Sequence, residues 1–172
     1  MADQHQEWLD FAKSVALEAG DIMRKYFGKK PDSHLKANNT IVTVADEEIN
    51  DLVIKRVTER YPAHDIDGEE ASQRRGSKYV WACDPIDGTT SFIMGLPVSV
   101  FSLALVIDGQ SEVGVIYAPF SDHLYWASRG CGVQRVHPGT ANLRARGMNW
   151  SQSTHIVSCA FAGSLAAACL FS

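Results

Sequence analysis

The segment from residue 80 to 92 constrains this chain most strongly, because two carboxylates follow an apolar run at a short spacing. It reads Val-Trp-Ala-Cys-Asp-Pro-Ile-Asp-Gly-Thr-Thr-Ser-Phe and contains Asp84 and Asp87. Pro85 fixes its own φ angle and keeps the preceding residue extended, so the chain can turn sharply after the strand. The turn can then present both carboxylates and the carbonyl group of Ile86 on one side.

The residues after the second carboxylate suit a bound anion. Gly88 lets the backbone approach a ligand closely, and Thr89 and Thr90 can begin a helix whose first N–H groups are free. Asp-Pro and Asp-Gly are also ordinary turn sequences, but the preceding apolar strand and the following Thr-Thr-Ser-Phe favour a metal site. Acidic oxygens beside free N–H groups suit a divalent cation and a phosphate together. The segment therefore predicts metal-assisted phosphate chemistry.

Further acidic residues precede this segment. Glu69 and Glu70 follow a glycine and a short strand predicted over residues 64–67. Adjacent side chains of an extended backbone point to opposite sides, so we expect one of the two to reach the carboxylate of Asp84. A solvated acidic loop is the alternative interpretation of this pair. Asp46 lies at the start of a predicted helix, where it is either a site residue or an acid that favours the helix dipole.

Hydrophobic periodicity predicts two helices followed by a sheet, which is typical of a layered α/β protein. Apolar residues at three- and four-residue steps predict a helix over residues 4–27, and Thr43 caps a second helix that stops near Tyr61. The dipeptide Asp108-Gly109 predicts a hairpin turn. Strands are expected over residues 64–67, 79–83, 98–107, 112–117 and 124–127, and loops over residues 32–39, 71–78 and 137–154.

Composition and charge exclude several function classes. The net charge of −4 and the lack of a Lys/Arg run argue against nucleic-acid binding. An acidic chain also repels a phosphorylated substrate, so metal cations would have to supply the positive charge. The six histidines show no ligand spacing, and neither a nucleophile elbow nor a P-loop motif occurs.

The cysteines and the chain ends predict a cytoplasmic protein. Four widely spaced cysteines without a C-x-x-C pair argue against a zinc site and indicate reduced, mostly buried thiols. The polar, acidic start does not read as a signal peptide. The apolar stretch over residues 158–172 is shorter than a membrane span. No membrane association is therefore expected.

The motifs together resemble a known family. The run over residues 84–92, the Gly-Glu-Glu at 68–70 and the Thr-Val-Ala-Asp at 43–46 are similar to the magnesium-dependent, lithium-sensitive phosphomonoesterases of the inositol monophosphatase family. The Gly-Val-Ile-Tyr-Ala-Pro at 114–119 and the Arg-Gly-Cys-Gly at 129–132 fit the same pattern. The resemblance implies a layered α/β sandwich (α+β) of the sugar-phosphatase type, with a largely antiparallel sheet in its N-terminal portion.

The resemblance also implies a domain organisation and a partner. It runs from about residue 8 to 136, which gives a metal- and phosphate-binding domain over residues 1–136. Residues 137–172 are expected to begin a truncated or divergent C-terminal part. Either residues 155–161 match the strand after the meander, or residues 163–167 match a later helix. A homodimer is expected by the same resemblance.

By that resemblance, four residues hold metal ions. Glu69, Asp84 and the carbonyl group of Ile86 would bind one Mg²⁺, while Asp84 and Asp87 would bind part of a second. The family takes a further aspartate from a Trp-Asp motif later in the chain, and no such motif occurs in this sequence. The second metal site is therefore expected to be incomplete.

The same resemblance assigns the remaining catalytic and phosphate-binding roles. Asp46 and Thr89 would position the attacking water and help to deprotonate it, and Glu69 is counted with them as catalytic. The backbone N–H groups of Gly88 and Thr89 would bind the phosphate next to Asp87. In-line attack by water would then release phosphate and an alcohol without a covalent intermediate.

The predicted substrate is a small phosphorylated polyol, with inositol monophosphate as the first candidate. Histidinol phosphate, fructose 1,6-bisphosphate and 3′-phosphoadenosine nucleotides are alternatives, and Ser91-Phe92-Ile93 followed by Gly95 keeps histidinol phosphate among them. A second hypothesis is a truncated, non-catalytic family member that acts as a dimer partner. It is motivated by the missing aspartate and by the apolar stretch over residues 159–171, which would need a cover.

Overall fold

The computed structural model describes residues 2–29, 33–35, 41–136 and 143–144, and these form two long helices and an extended sheet. In chain order the elements are α1 (Ala2–Tyr26), β1 (Ser33–Leu35), β2 (Ile41–Thr43), α2 (Val44–Arg60), β3 (Asp65–Gly68), β4 (Ser72–Gln73), β5 (Tyr79–Asp87), α3 (Thr89–Ile93), β6 (Val100–Ile107), β7 (Gln110–Ala118), β8 (His123–Ser128), β9 (Gly132–Val136) and β10 (Leu143–Arg144).

The main sheet is largely antiparallel, as the sequence predicts. Its eight described strands lie in the order β10-β9-β8-β7-β6-β5-β3-β4, and β1 pairs with β2 in a separate antiparallel pair. Among these strands, β3 and β5 pair in parallel, with Gly68 opposite Cys83. Because β3 and β5 run in the same direction, the end of β3 and the last part of β5 lie at the same end of the sheet. The acids that follow Gly68 and Cys83 are therefore brought together.

Helices α1 and α2 pack on one face of the sheet, where the large side chains of the strands point. Phe101, Leu103 and Leu105 alternate along β6 and are fully buried against the helices. Trp81 on β5 and Val15 on α1 join the same core. Burial of each such side chain favours the folded state by about 1.5–3 kcal/mol. This core fixes α2 over β5, and it thereby fixes the start of α2 beside the predicted site.

The start of α2 is defined by a capping box, which confirms the predicted helix start. The Asp46 backbone N–H donates to the Thr43 hydroxyl oxygen at 3.4 Å, and the Thr43 backbone N–H donates to the Asp46 carboxylate at 2.8 Å. At the other end, the Tyr61 N–H donates to the Val57 carbonyl oxygen at 2.7 Å.

The structure corrects several predicted elements. Strand β5 continues past Cys83 to Asp87, because its pairing with β6 resumes after a shift in register. Strand β9 was not predicted, and β1, β4 and β10 lie within the stretches predicted as loops, so those loop predictions are wrong at these residues. Each of these short strands is formed through backbone hydrogen bonds to a neighbouring strand. The composition of the short strand itself does not reveal that neighbour, so the sequence did not predict it.

The structure describes two of the four cysteines for which mostly buried thiols were predicted, and they differ in exposure. Cys83 is buried, whereas Cys131 is exposed because it lies in the turn between β8 and β9. The cysteines at 159 and 169 lie outside the described residues, as do both alignments offered for the end of the chain. None of the described helices is long and apolar enough to span a membrane.

Candidate active site

The end of β5 carries the two predicted carboxylates on either side of an irregularity in the sheet. Asp84 lies opposite Ser102 of β6, Asp87 lies opposite Val100, and the register shifts between them. Pro85 has no N–H group with which to continue the ladder, and a shift of this kind redirects the side chains that follow it. As a result Asp84 is buried and Asp87 is exposed.

Gly88 turns the chain from β5 into α3. It has a φ of 84°, in the left-handed region that favours glycine, and it is the N-cap of α3. The Ser99 hydroxyl donates to the Gly88 carbonyl oxygen at 3.0 Å, and buried Phe92 anchors the short helix. The predicted helix start after Asp87 is therefore confirmed.

The Thr89 hydroxyl lies between two acceptors. It is 3.0 Å from the carbonyl oxygen of Ile86 and 3.4 Å from Asp46 Oδ1. A hydroxyl has a single hydrogen, so it can donate to one of these acceptors at a time. Residues from β5, α3 and α2 thus meet at this hydroxyl, which brings the predicted Asp46 and Thr89 together.

Asp46 is held rigidly at the start of α2. It is 2% exposed, and its Oδ2 accepts hydrogen bonds from the Thr43 backbone N–H at 2.8 Å and from the Thr43 hydroxyl at 2.5 Å. Burial raises the pKa of Asp46, although the two bonds from Thr43 oppose that shift. Its second oxygen, Oδ1, faces Thr89.

Asp84 lies at the centre of the electrostatic cluster. Burial, followed by the charges of Glu69 and Asp87, raises the pKa of Asp84 to about 8. Its Oδ1 atom is buried and has no hydrogen-bond partner in the described part of the chain. Burial and the charge of Glu69 also raise the pKa of Asp87, while a hydrogen bond from the Gly88 N–H lowers it. Such a cluster favours either protons or a bound cation.

The structure distinguishes the two neighbouring glutamates. Glu69 acts on Asp84 through its charge and a hydrogen bond, and its charge also reaches Asp46 and Asp87. Glu70 contributes to the field at the Cys83 thiol, whose pKa is raised mainly by burial. The Glu69 backbone N–H donates to the Cys83 carbonyl oxygen at 3.2 Å, which ties the turn to β5. The expectation that one member of the pair reaches Asp84 therefore agrees with the placement of Glu69.

An acidic cavity opens beside this cluster. Its volume is about 440 Å³, and acidic side chains from α2 and from the turn after β3 line it. The lining residues are Val42, Glu47, Asn50, Asp51, Glu69, Glu70 and Ala71. A phosphate would be repelled from such a wall unless a cation accompanied it.

The side chains fit a hard divalent cation by their chemistry. Within the described ranges, no three His, Cys, Asp or Glu side chains already form a metal-binding group. The oxygens of Glu69, Asp84 and Asp87 and the Ile86 carbonyl are nonetheless the kind that Mg²⁺ prefers. The strongest sign is the buried Oδ1 of Asp84, which has no partner within the described ranges, because an ionised oxygen left in this state is costly.

The sequence reasoning missed two buried polar residues next to the cluster. Ser102 lies directly opposite Asp84, and its hydroxyl is buried without a hydrogen-bond partner among the described residues. A polar residue inside the apolar run of β6 was the available signal. Asn50 lies one helical turn after Asp46, and its position on the same helical face was the corresponding signal.

Comparisons with known proteins point to one family. A model described as the inositol monophosphatase family matches residues 4–164. The chain is 36% identical over 139 residues to inositol monophosphatase 1 of Sus scrofa, covering 77% of this chain and 50% of that protein. It is 33% identical over 130 residues to a fructose-1,6-bisphosphatase/inositol-1-monophosphatase of Aquifex aeolicus, covering 74% and 49%.

A solved structure has a similar fold. The Thermotoga maritima IMPase superposes with a TM-score of 0.71 at 30% identity, covering 78% of this chain and 52% of that one. The chain spans about half the length of the curated relatives it matches.

Proposed function

The chain belongs to the inositol monophosphatase family, and from this premise we propose that it catalyses Mg²⁺-dependent hydrolysis of a small phosphate monoester. Inositol monophosphate, yielding inositol and phosphate, is the proposed substrate. The observation that carries the proposal is the buried Oδ1 of Asp84, which has no hydrogen-bond partner among the described residues and lies in a cluster with the carboxylates of Asp46, Glu69 and Asp87. The relatives named above carry phosphatase names, which supports a phosphatase activity for this chain.

The proposed metal ligands are Glu69, Asp84 and the Ile86 carbonyl for one Mg²⁺, with Asp84 and Asp87 for part of a second. Bound there, Mg²⁺ would lower the pKa of a bound water and offset charge on the phosphoryl oxygens. The Ile86 carbonyl now accepts a hydrogen bond from Thr89. Engagement of this carbonyl by another partner would leave the Thr89 hydrogen for Asp46 Oδ1.

Thr89 and Asp46 form the proposed route for the proton of the attacking water. The Thr89 oxygen accepts a hydrogen bond from the water while its own hydrogen points to Asp46 Oδ1, 3.4 Å away. Thr43 holds the other oxygen of Asp46, so the carboxylate cannot rotate away. The water oxygen bonds to phosphorus, the ester P–O bond breaks, and the departing alcohol oxygen takes up a proton.

The start of α3 is the proposed phosphate-binding element, through the backbone N–H groups of Gly88 and Thr89. The Gly88 N–H interacts with the Asp87 carboxylate in the structure. If Asp87 turns toward a cation, that N–H becomes available to a phosphoryl oxygen. The residue proposed to bind the cation and the residues proposed to bind the phosphate would thus be neighbours in the chain.

A phosphate-release assay with Mg²⁺ tests this proposal. Glu69→Gln and Asp87→Asn should each abolish release from inositol monophosphate, whereas Glu59→Gln on the exposed side of α2 should not. Retained release in the first two variants would contradict the assignment. The same assay with histidinol phosphate, fructose 1,6-bisphosphate and a 3′-phosphoadenosine nucleotide decides the substrate.

A second candidate function is a non-catalytic dimer partner, and the exposed apolar side chains that follow α3 favour it. Calorimetric titration separates the two functions, because Mg²⁺ binding without hydrolysis of any ester in the panel would favour the second. A homodimer is proposed in either case. It is supported by the exposed side chains of Met94, Leu96 and Val98, which follow one another closely after α3. Sedimentation of the chain tests it.

A further inference from the structure

We propose that Asn50 is a positioning residue that holds the turn carrying Glu69 in place at the acidic cluster. Its importance for catalysis rests on the proposed function, in which Glu69 is a metal ligand. The placement of the turn itself is a structural claim that can be tested without metal or substrate.

Asn50 links α2 to the turn after β3. The residue is 2% exposed, and its Nδ2 atom donates to the Ala71 carbonyl oxygen at 3.2 Å. It lies four positions after Asp46, so both side chains project from one face of the helix. Asp46 reaches Thr89 on one side of the cluster, and Asn50 reaches the Glu69 turn on the other. One rigid helix therefore places two parts of the site.

The turn fits closely against the Asn50 amide. A Cβ atom at Gly68 would overlap both Asn50 Oδ1 and the carbonyl oxygen of Ala71, so glycine alone allows this approach. On its other side the turn is bonded to β5, through the Glu69 N–H and the Cys83 carbonyl oxygen. The turn is thus fixed between α2 and β5.

The amide of Asn50 carries a cost that packing alone would not justify. Its Oδ1 is buried without a hydrogen-bond partner in the described part of the chain, and an acceptor left in this state disfavours folding. A leucine of similar size would avoid this cost. The presence of an amide at this position is therefore explained by its Nδ2–H group, which donates to the Ala71 carbonyl oxygen.

Holding the turn matters because the cluster repels itself. The charge of Glu69 acts on Asp46, Asp84 and Asp87, so when these carboxyl groups are ionised and no cation is present, like charges favour displacement of Glu69 away from the cluster. The bond from Asn50 to Ala71 opposes that displacement. Loss of a residue that orients a metal ligand typically weakens metal binding by about 10–100-fold.

Asn50→Ala tests this role, with Val57→Ala as the matched control. Val57 is fully buried on the same helix two turns further from the site, so its truncation reports the loss of packing alone. The first measurement is amide hydrogen exchange in the metal-free protein. In Asn50→Ala the Glu69 amide should exchange at least about tenfold faster, while the Arg129 amide, bonded to Glu112 across the β7–β8 hairpin, should change no more than in Val57→Ala.

The second measurement is calorimetric titration with Mg²⁺ alone. Affinity should fall about 10–100-fold in Asn50→Ala and stay within about twofold in Val57→Ala. Unchanged exchange at Glu69 would overturn the proposal, and so would equal Mg²⁺ affinities in the two variants of a metal-binding protein. If the wild-type chain binds no Mg²⁺, the proposed function fails, and the exchange result still decides the role of Asn50. Should Asn50→Ala fail to fold, Asn50→Leu, which removes the amide donor without adding a charge, takes its place in the exchange measurement.

Discussion

Two buried aspartates on neighbouring strands show how one residue type serves two purposes. Asp65 begins β3 and is 4% exposed, while Asp84 lies in the adjacent β5 and is 8% exposed. Asp65 accepts backbone hydrogen bonds from Arg75, Gly76 and Ser77 at 2.8, 2.9 and 3.0 Å. Asp84 keeps one oxygen without a partner among the described residues.

The two carboxylates respond oppositely to burial. Burial would raise the pKa of Asp65, but the three backbone donors outweigh it and lower the pKa below its usual value. At Asp84 burial is reinforced by the charges of Glu69 and Asp87, and the pKa rises to about 8. Asp65 is a structural acid whose charge the chain itself stabilises. Asp84 has the properties of a group that the chain itself does not stabilise in its ionised form, so it favours either a proton or a bound cation.

The comparison is tested most strongly by Asp84→Asn. Phosphate release should fall by about 1,000-fold or more, because the variant loses a proposed metal ligand. Each factor of ten corresponds to about 1.4 kcal/mol of transition-state stabilisation. The metal-free protein should gain at least about 1 kcal/mol of stability at neutral pH, because the amide does not titrate, whereas the raised pKa of the buried Asp84 carboxyl favours unfolding as pH rises toward 8. Steady-state assays and thermal unfolding in chelator measure the two effects. Loss of both activity and stability would identify Asp84 as structural instead.

The pH dependence of unfolding should separate the two acids. The pKa of Asp84 is raised in the folded state, so its contribution to stability is present at low pH and is lost as pH rises from about 4 to about 8. The slope approaches about 1.4 kcal/mol per pH unit for one proton. Subtracting the curve for Asp84→Asn from that of the metal-free wild type isolates this contribution. A flat difference across that range would refute it.

The same measurement has the opposite sign for Asp65. Its pKa is lowered in the folded state, so its contribution is present above the usual aspartate pKa and is lost as pH falls below it. Asp65→Ala should therefore lower the melting temperature by several degrees at neutral pH, because three backbone N–H groups lose their acceptor. Mg²⁺ affinity should stay unchanged.

The matched control for that variant is Asp67→Asn on the same strand. Asp67 pairs with the exposed side chain of Arg74 at 2.6 Å, and surface pairs of this kind contribute little. Equal losses in the two variants would show that the backbone donors around Asp65 have no special weight.

Binding of Mg²⁺ should itself stabilise the protein by a modest amount. At a concentration ten times the dissociation constant, Mg²⁺ should raise the stability of the wild-type chain by about 1.4 kcal/mol. Asp65→Ala should keep this increment and Asp84→Asn should lose most of it. Thermal unfolding with and without chelator provides the measurement. An equal increment in both variants would place the cation away from Asp84.

The features predicted from sequence are those whose causes lie close together in the chain. The cap at Thr43 depends on Asp46 three residues later, and the turn at Gly88 depends on its own φ angle. The hairpin at Asp108-Gly109 followed from a similarly local signal, whereas the largely antiparallel sheet was implied by the family resemblance, and both agree with the structure. The division of the chain at residue 136 and the roles of the site residues stay predictions.

The features that escaped prediction depend on partners distant in the chain. The role of Asp65 requires a loop ten to twelve residues later to fold back over it. Asn50 meets Ala71 across 21 positions. Strand β9 and the exposure of Cys131 depend on how β8 turns at its end. Periodicity and motif spacing contain no information about such meetings, because they describe one segment at a time.

The parallel pairing of β3 with β5 has a practical consequence for engineering the chain. The offset between Glu69 and Asp84 is set by the ladder that joins Gly68 to Cys83, and not by the length of chain between them. Added residues between Gln73 and Arg74 would therefore loop outward, leaving the backbone donors of Asp65 and the acidic cluster in register. A short reporter peptide inserted there would label the protein close to its candidate active site without displacing the site residues.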